Sequence, residues 1–269
     1  MPDESSEEPW LKLDTTVAHS ARVYDYWLGG KDNFAADREA GDRVIAIRPA
    51  IRSDVRENRA FLRRAVRFLT EDAGIRQFLD IGTGLPSAGN THEVAQAAAP
   101  EARVVYVDND PLVLAHARAL LTGTPGSTAY LSADLREPGK ILRDAADALD
   151  FSQPVAVMLV AVLHHVTDAE DPAGIIATLL AEVPPGSYLV ISHPAADIQT
   201  EAVAQVAAQY NQHVVTGQTR RTREQVTQFF DGLELLPPGV VQTPQWRPAE
   251  SAPASQVPMW AGVGRKPAS

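Results

Sequence analysis

The chain has 269 residues, 45% of them hydrophobic, and a formal net charge of −10. This composition suits a globular protein with a sizeable core, and the negative charge argues against a nucleic-acid partner, because binding phosphates requires clustered Lys and Arg. Cysteine is absent, which excludes disulfides and thiolate metal sites.

The sequence also predicts a cytoplasmic protein without membrane contact. Its start, MPDESSEEPW, is acidic and polar, and it lacks the basic and apolar regions of a signal peptide. The longest uninterrupted apolar run, residues 155–163, is much shorter than the ~20 residues that cross a bilayer.

Residues 1–75 are predicted to form a polar tail and a helical cap. Residues 1–14 are charged without pattern, whereas apolar residues in 58–69 recur at the spacing of one helix face. In the segment 22–34, Tyr24, Trp27 and Asn33 combine aromatic and polar side chains. We interpret this segment as a lid that covers a ligand and shapes its pocket. The alternative is a helix whose aromatic side chains simply pack in the core.

Residues 76–269 are predicted to form one α/β domain in which strands alternate with helices. The predicted strands span 78–81, 104–107, 129–132, 155–160 and 188–192, and the predicted helices span 91–99, 112–121, 139–149, 172–183, 198–213 and 222–230. The strands lack polar alternation, which indicates a parallel sheet covered on both faces and therefore a doubly wound fold. Asn90 with Glu93, and Thr222 with Gln225, have the spacing of capping boxes. Two last strands, 233–236 and 259–263, have no helix between them and are predicted to pair antiparallel at the sheet edge.

The turn after the first strand indicates a ligand without a pyrophosphate. It begins with Gly82-Thr83-Gly84, but Ser87 stands where a dinucleotide fingerprint has its third glycine. Pro86 lacks an N–H donor, and the next plausible helix start is Asn90 or Thr91, so no helix N-terminus begins at the turn to bind phosphate.

Three acids follow three successive strands, at the edge where α/β sheets bind ligands. S-adenosylmethionine (SAM) has a ribose, an adenine, an amino-acid tail and a sulfonium, but no phosphate. We predict that Asp80 attracts the ammonium of the tail and that Asp108 accepts from the ribose hydroxyls. Asp134 is placed to accept from the adenine amino group, while Leu135 contacts the ring. Gly82 and Gly84 would let the backbone approach the ligand closely.

Four further residues complete the predicted site. Thr83, Asn109 and Ala161 are assigned to the cofactor because they adjoin the strand ends, and His165 is the candidate catalytic residue. His164 and His165 follow the fourth strand, where either could be a general base. In an extended segment the two rings would point to opposite sides, so at most one should face the pocket. No H-x-x-x-H pair is present, and no metal site is predicted.

Several segments resemble the successive motifs of class I SAM-dependent methyltransferases: LDIGTG, YVDNDP, SADL, AVLHHVTD and PPGSYLVIS. Longer blocks resemble a bacterial family of SAM-dependent methyltransferases with undefined substrates: ARVYDYWLGGKDNFAADREA, NRAFLRRAV and QFLDIGTGLPSAGNTHEVA. The resemblance covers roughly residues 15–265. It implies a seven-stranded Rossmann-like sheet of order 3-2-1-4-5-7-6, with the last strand antiparallel, and SAM as the cofactor.

The sequence therefore predicts SAM-dependent methyl transfer. The acidic composition favours a small-molecule acceptor over nucleic acid, while protein acceptors stay open. One alternative is a SAM-binding regulatory protein that does not turn over. Another is an NAD-dependent oxidoreductase, which Pro86 and Ser87 disfavour. No particular oligomeric state is predicted.

Overall fold

A mixed sheet lies at the centre of the computed structural model, which describes residues 14–120, 127–248 and 256–268. The strands are β1 (Gln77–Ile81), β2 (Arg103–Asp108), β3 (Thr128–Ser132), β4 (Ala156–Val160), β5 (Tyr188–Pro194), β6 (Glu234–Leu235), β7 (Val241–Gln242) and β8 (Met259–Arg265). The helices are α1 (Ser20–Leu28), α2 (Ala35–Ile47), α3 (Ile51–Glu71), α4 (Thr91–Ala98), α5 (Pro111–Leu120), α6 (Pro138–Ala145), α7 (Pro172–Ala181), α8 (Thr200–His213) and α9 (Arg223–Gln228).

The strand order confirms the predicted topology. The sheet runs β3-β2-β1-β4-β5-β8-β6, with the first five of these strands parallel and β8 antiparallel to both β5 and β6. The sequence did not predict β7, which pairs with β8 through two residues inside the proline-rich segment 237–258. It lies where β8 extends beyond β6, so it covers backbone groups that would otherwise be a free edge.

Unbroken apolar strands place a core on each face of the sheet. On one face, β1 and β4 pack with α6 and α7, for example through Ile141 and Leu179. On the other face, α3 and α4 pack through Phe61, Leu69 and Ala95. The prediction that both faces are covered is confirmed.

A third apolar cluster joins the first two helices to α8. Val23 and Trp27 of α1 and Val44 of α2 pack against Val206 and Tyr210 of α8. A parallel bridge between Ala18 and Val214 extends this contact. The cap over the sheet edge is therefore built from both α1–α2 and α8, whereas α3 packs on the sheet. The domain division at residue 75 remains a prediction.

Helix starts follow local capping in one predicted case and not in the other. The Thr222–Gln225 box is confirmed, because Gln225 N–H donates to the Thr222 hydroxyl and Thr222 N–H donates to Gln225 Oε1. The Asn90–Glu93 box was wrong. Glu93 reaches one residue further back, to the N–H of Gly89, and Asn90 Oδ1 accepts from Ser87 N–H instead.

Parts of several predictions lie outside the described residues, namely residues 1–13 of the tail, residue 121 of a helix and 249–255 of the proline-rich segment. Among the described helices, none combines the length and apolarity needed to cross a membrane.

Candidate active site

A cavity of about 1210 Å³, including its open mouth, lies at the carboxyl ends of β1 to β4. Its floor consists of the turns that follow these strands, and α1 and residues near α8 cover it. All nine predicted cofactor residues line it: Asp80, Gly82, Thr83, Gly84, Asp108, Asn109, Asp134, Leu135 and Ala161. Sequence separation of the strand ends is irrelevant here, because parallel strands bring these ends to one edge.

The turn after β1 needs glycine for two different reasons. Gly82 has a φ of 72°, and a Cβ there would lie 2.2 Å from Val162 Cγ2. Gly84 has a φ of 67°, and a Cβ there would meet no atom within 4 Å, so this position leaves open space toward the cavity. The next helix starts at Thr91, as predicted, so no helix N-terminus begins at the turn itself.

Asp80 is a buried carboxylate at the cavity floor. Its Oδ2 accepts a 2.6 Å hydrogen bond from the Thr91 hydroxyl. Burial raises the pKa of Asp80 to about 6, although the Thr91 hydrogen bond and the charge of Arg59 oppose that rise. The site therefore holds a carboxylate that a cationic ligand group would stabilise.

Asp108 is tied to the glycine turn. Its Oδ2 accepts from Gly84 N–H at 2.8 Å, and its Oδ1 accepts from Asp110 N–H at 3.0 Å. Burial raises the pKa of Asp108, and these two backbone hydrogen bonds counteract the rise. The carboxylate is thus fixed in place, since both oxygens already have a backbone partner.

Asp134 belongs to a cluster of polar side chains at the end of β3. It accepts from the Asn109 side-chain amide at 3.0 Å and from Arg136 Nη1 at 3.1 Å. Burial raises the pKa of Asp134, but hydrogen bonds from Arg136 and Asn109 outweigh burial and lower it. Arg136 also donates to the carbonyl of His165 at 2.6 Å. This guanidinium links the turn after β3 to the turn after β4.

The cap contributes Tyr24 and Trp27 to the cavity, but Asn33 does not line it. The Asn33 amide instead donates to Asp25 Oδ2 at 2.9 Å and to the carbonyl of Gly30. Its place is behind Asp25, which does line the cavity. Asn33 was predicted as part of the lid over the ligand. Its amide instead binds Asp25 and Gly30, so it stabilises the turn after α1 and does not itself line the cavity.

Both histidines after β4 line the cavity, which corrects the expectation that at most one does so. Residues Leu163–His165 form a 3₁₀ helix rather than an extended segment, so the two rings lie on one side, 4.0 Å apart. His165 Nδ1–H donates to the Gly217 carbonyl at 3.0 Å, which leaves Nε2 without a proton in the neutral ring. Burial lowers the pKa of His165 to about 4 and that of His164 well below its ordinary value.

The buried side chain of Arg221 holds the 3₁₀ helix Leu163–His165, which is called the histidine turn below. Arg221 is 2% exposed and donates to the carbonyls of Leu163 and Val166, to Asp168 at 2.7 Å and to His193 Nε2 at 2.9 Å. Among the described residues, no three His, Asp or Glu side chains are arranged to hold a metal ion.

The lining residues that the sequence did not predict include three polar ones beneath the cap: His19, Asn58 and Arg59. Asn58 and Arg59 belong to the block NRAFLRRAV, and Asn58 stands three residues before Phe61 on the apolar face of α3. A polar residue within an apolar helix face is the signal that could have found it. His19 gave no signal, because its contact with Asp110, at 2.9 Å, arises only from how α1 packs.

Comparison with known proteins agrees with this geometry. Residues 6–267 match the family model described as S-adenosyl methyltransferase. The chain belongs to the S-adenosyl methyltransferase family. As a member of this family the protein is a SAM-dependent methyltransferase, with SAM as its cofactor, and the resemblance noted in the sequence is confirmed. The search of curated proteins finds no match.

Solved structures of two other proteins resemble this S-adenosyl methyltransferase closely. A DUF574 family protein from Streptomyces avermitilis MA-4680 is 46% identical, with a TM-score of 0.91 over 94% of this chain and 99% of that one. A candidate methyltransferase from Thermobifida fusca YX is 44% identical, with a TM-score of 0.90 over 98% and 100% of the two chains. Human N-acetylserotonin methyltransferase, solved with SAM, is 14% identical and has a TM-score of 0.50 over 98% and 68%, which shows the fold alone.

The residues of the cavity fit SAM. The turn at Gly82 and Gly84 keeps side chains away from the floor, as a close-lying ligand requires. Asp80 offers a carboxylate to an ammonium, and Asp108 adjoins it at the end of the neighbouring strand. Arg59 has a buried Nε without a hydrogen-bond partner among the described residues, so the cavity contains a donor that a ligand can satisfy.

Proposed function

We propose that this S-adenosyl methyltransferase methylates a small-molecule acceptor that binds beneath the cap. The observation that carries the proposal is the roof of the cavity: α1 lies across the carboxyl edge of the sheet, with Tyr24 and Trp27 lining the space below. A roofed cavity admits a small ligand more readily than a folded macromolecule. The net charge of −10 adds repulsion against nucleic acid.

The donor side is assigned to the strand ends. We propose that Asp80 binds the ammonium of the amino-acid tail and that Gly82, Thr83 and Gly84 let the tail lie close to the backbone, with Asp108 and Asn109 at the ribose. Asp134, Leu135 and Ala161 would then contact the adenine. SAM supplies a methyl group on a sulfonium, which is activated for displacement by its positive charge. The protein's own contribution is chiefly alignment, which can supply much of the rate.

The acceptor side is assigned to the cap and to the turn after β4. Tyr24 accepts from the Asn58 amide at 2.9 Å, and Asn58 Oδ1 accepts from the Ser192 hydroxyl at 2.6 Å. This chain of hydrogen bonds fixes the roof to β5. Trp27 packs on Tyr210 with ring centroids 6.2 Å apart, so one end of this space is aromatic.

His165 is proposed to orient the acceptor through its unprotonated Nε2. A pKa of about 4 keeps the imidazole neutral at pH 7 and makes it a weak base. General base catalysis is most efficient when the pKa lies near the working pH. We therefore assign to His165 a hydrogen bond to the acceptor, with the acceptor reacting through its own lone pair.

Titration followed by product analysis tests this function. SAM, its demethylated product and NAD are titrated into the protein by calorimetry, and methyl-labelled SAM is then incubated with a cell extract separated into small molecules and macromolecules. We expect SAM to bind more tightly than NAD and label to appear in the small-molecule fraction. The Asp108→Ala variant, in which SAM should bind more weakly, is the control for label transfer that does not depend on this donor site.

Label confined to macromolecules would contradict the small-molecule acceptor. Binding of SAM without formation of its demethylated product in any fraction would favour a regulatory SAM-binding protein. Tighter binding of NAD than of SAM would contradict the assignment of the site as a whole.

A further inference from the structure

Arg59 on α3 is a cation that lines the cavity without an anionic partner. Its Nη2 donates to the Gly89 carbonyl at 3.3 Å and to Asn90 Oδ1 at 2.9 Å, both neutral acceptors. Its Nε is buried and has no hydrogen-bond partner among the described residues. A buried donor left unpaired is costly, so a ligand that accepts from this guanidinium would stabilise the arrangement.

The charge of Arg59 acts on the same part of the cavity as Asp80. It is one of the groups that keep the pKa of Asp80 from rising further, yet the two side chains form no ion pair within 4 Å in the described structure. Asp80 uses one oxygen for Thr91, and Arg59 holds Asn90 beside it. Two opposite charges kept apart on one wall match the ammonium and carboxylate of a free α-amino acid group.

The backbone of the turn offers few alternatives for a carboxylate. The N–H groups of Gly82 and Thr83 both donate to the carbonyl of Val107, and that of Gly84 donates to Asp108. Pro86 has no N–H. The N–H groups of Ser87 and Gly89 are committed to the side chains of Asn90 and Glu93. Most amides that could hold a carboxylate in this loop are therefore already used inside the protein.

We infer that Arg59 binds the α-carboxylate of the methionine moiety of SAM, while Asp80 takes the ammonium. The inference rests on SAM occupying this cavity as proposed above. The methionine carboxylate would then be bound by α3, a helix before the first strand, rather than by the glycine turn. Arginine suits the task because its guanidinium stays charged and has five N–H donors, of which Gly89 and Asn90 use those of Nη2.

Decarboxylated SAM, which lacks only the α-carboxylate, isolates this contact. Binding of SAM and of decarboxylated SAM is measured by calorimetry for the unaltered protein and for Arg59→Gln. The unaltered protein should bind SAM about 10- to 100-fold more tightly than the decarboxylated ligand. In Arg59→Gln the affinity for SAM should fall to near that of decarboxylated SAM, whose own affinity should change little.

Arg67→Gln is the matched control, because Arg67 is exposed, lies two turns further along α3 and does not line this cavity. It should leave both affinities unchanged. Arg59→Lys should keep part of the preference for SAM, since it retains the charge but not the planar guanidinium.

Two results would overturn the assignment. The first is an unaltered protein that binds both ligands equally, a measurement that needs no variant and is unaffected by folding defects. The second is an Arg59→Gln protein that keeps the preference of the unaltered protein for SAM. Absence of any SAM binding by the unaltered protein would overturn the proposed function as well, so the two failures are distinguishable.

Discussion

Asp108 at the end of β2 accepts a 2.8 Å hydrogen bond from the backbone N–H of Gly84 in the turn after β1. The ends of two neighbouring strands are therefore joined by a side chain before any ligand binds. A carboxylate in this position fixes both the turn and its own orientation. Its removal should affect ligand binding more than it affects the fold of the sheet, which has its own ladder of hydrogen bonds.

Asp108→Ala should weaken SAM binding by about 1–3 kcal/mol, because the Gly84 amide and the ligand both lose an acceptor. Asp108→Asn keeps one acceptor oxygen and should lose less. Asp144→Ala, on the exposed side of α6, is the control and should bind as the unaltered protein does. Calorimetry provides the affinities. An unchanged affinity in a folded Asp108→Ala protein would contradict the assigned role.

The raised pKa of Asp80 predicts that ionisation of this carboxyl lowers the free energy of unfolding of the unliganded protein. A carboxyl whose folded pKa is raised to about 6 contributes stability at low pH that is lost as the pH rises through about 6. Asp80→Asn should therefore stabilise the unliganded protein by about 1–3 kcal/mol at pH 8, and by little at pH 4. Urea denaturation at the two pH values measures the difference. An equal gain in the free energy of unfolding at pH 4 and at pH 8 would show that ionisation of Asp80 is not the cause of the gain.

Ionisation of Asp80, which destabilises the unliganded protein, is expected to strengthen SAM binding. Ionised Asp80 favours an ammonium, so the affinity of the unaltered protein for SAM should fall as the pH drops below about 6. Asp80→Asn should bind SAM weakly and without this dependence. Parallel titration curves for the two proteins between pH 5 and 8 would rule out an ammonium contact at this position.

The Tyr24 hydroxyl should stabilise the docking of the cap. It donates to the Val55 carbonyl at 3.3 Å and accepts from the buried Asn58 at 2.9 Å. Tyr24→Phe should cost about 1–2 kcal/mol and speed hydrogen exchange in α1, with little change in β1 or β4. Tyr26→Phe on the same helix is the control, because its hydroxyl bonds Asp42 at the surface. Equal exchange in the two variants would contradict the docking role.

Arg221→Met should be strongly destabilising. The variant would leave His193 and two backbone carbonyls without their donor, and each buried acceptor left unpaired costs about 1–3 kcal/mol. The Asp168 side chain is 71% exposed and would remain solvated. Arg223→Met, at an exposed position two residues later, should cost far less. Thermal and urea denaturation compare the two. A loss below about 1 kcal/mol for Arg221→Met would mean that the histidine turn does not depend on it.

How much the sequence could predict depended on whether a feature is local. The strands and the acids Asp80, Asp108 and Asp134 were predictable, because apolar runs fix the strands and parallel pairing brings their ends together. The orientation of His164 and His165 was not, because it depends on a short 3₁₀ turn held by Arg221, which is distant in sequence. The orientation of the Arg59 side chain was not predictable either, because it depends on hydrogen bonds to Gly89 and Asn90, which are distant in sequence.

The bridge between Ala18 and Val214 has a consequence for biosynthesis. It closes a loop that contains the five parallel strands β1 to β5. These strands pair with strands nearer in sequence, and distant contacts form late because their closure entropy is high. A nascent chain can thus complete the floor of the cavity while the roof still lacks α8. We expect the roof to assemble after the five parallel strands, so that the enzyme becomes able to enclose an acceptor only after the chain beyond Val214 has emerged from the ribosome.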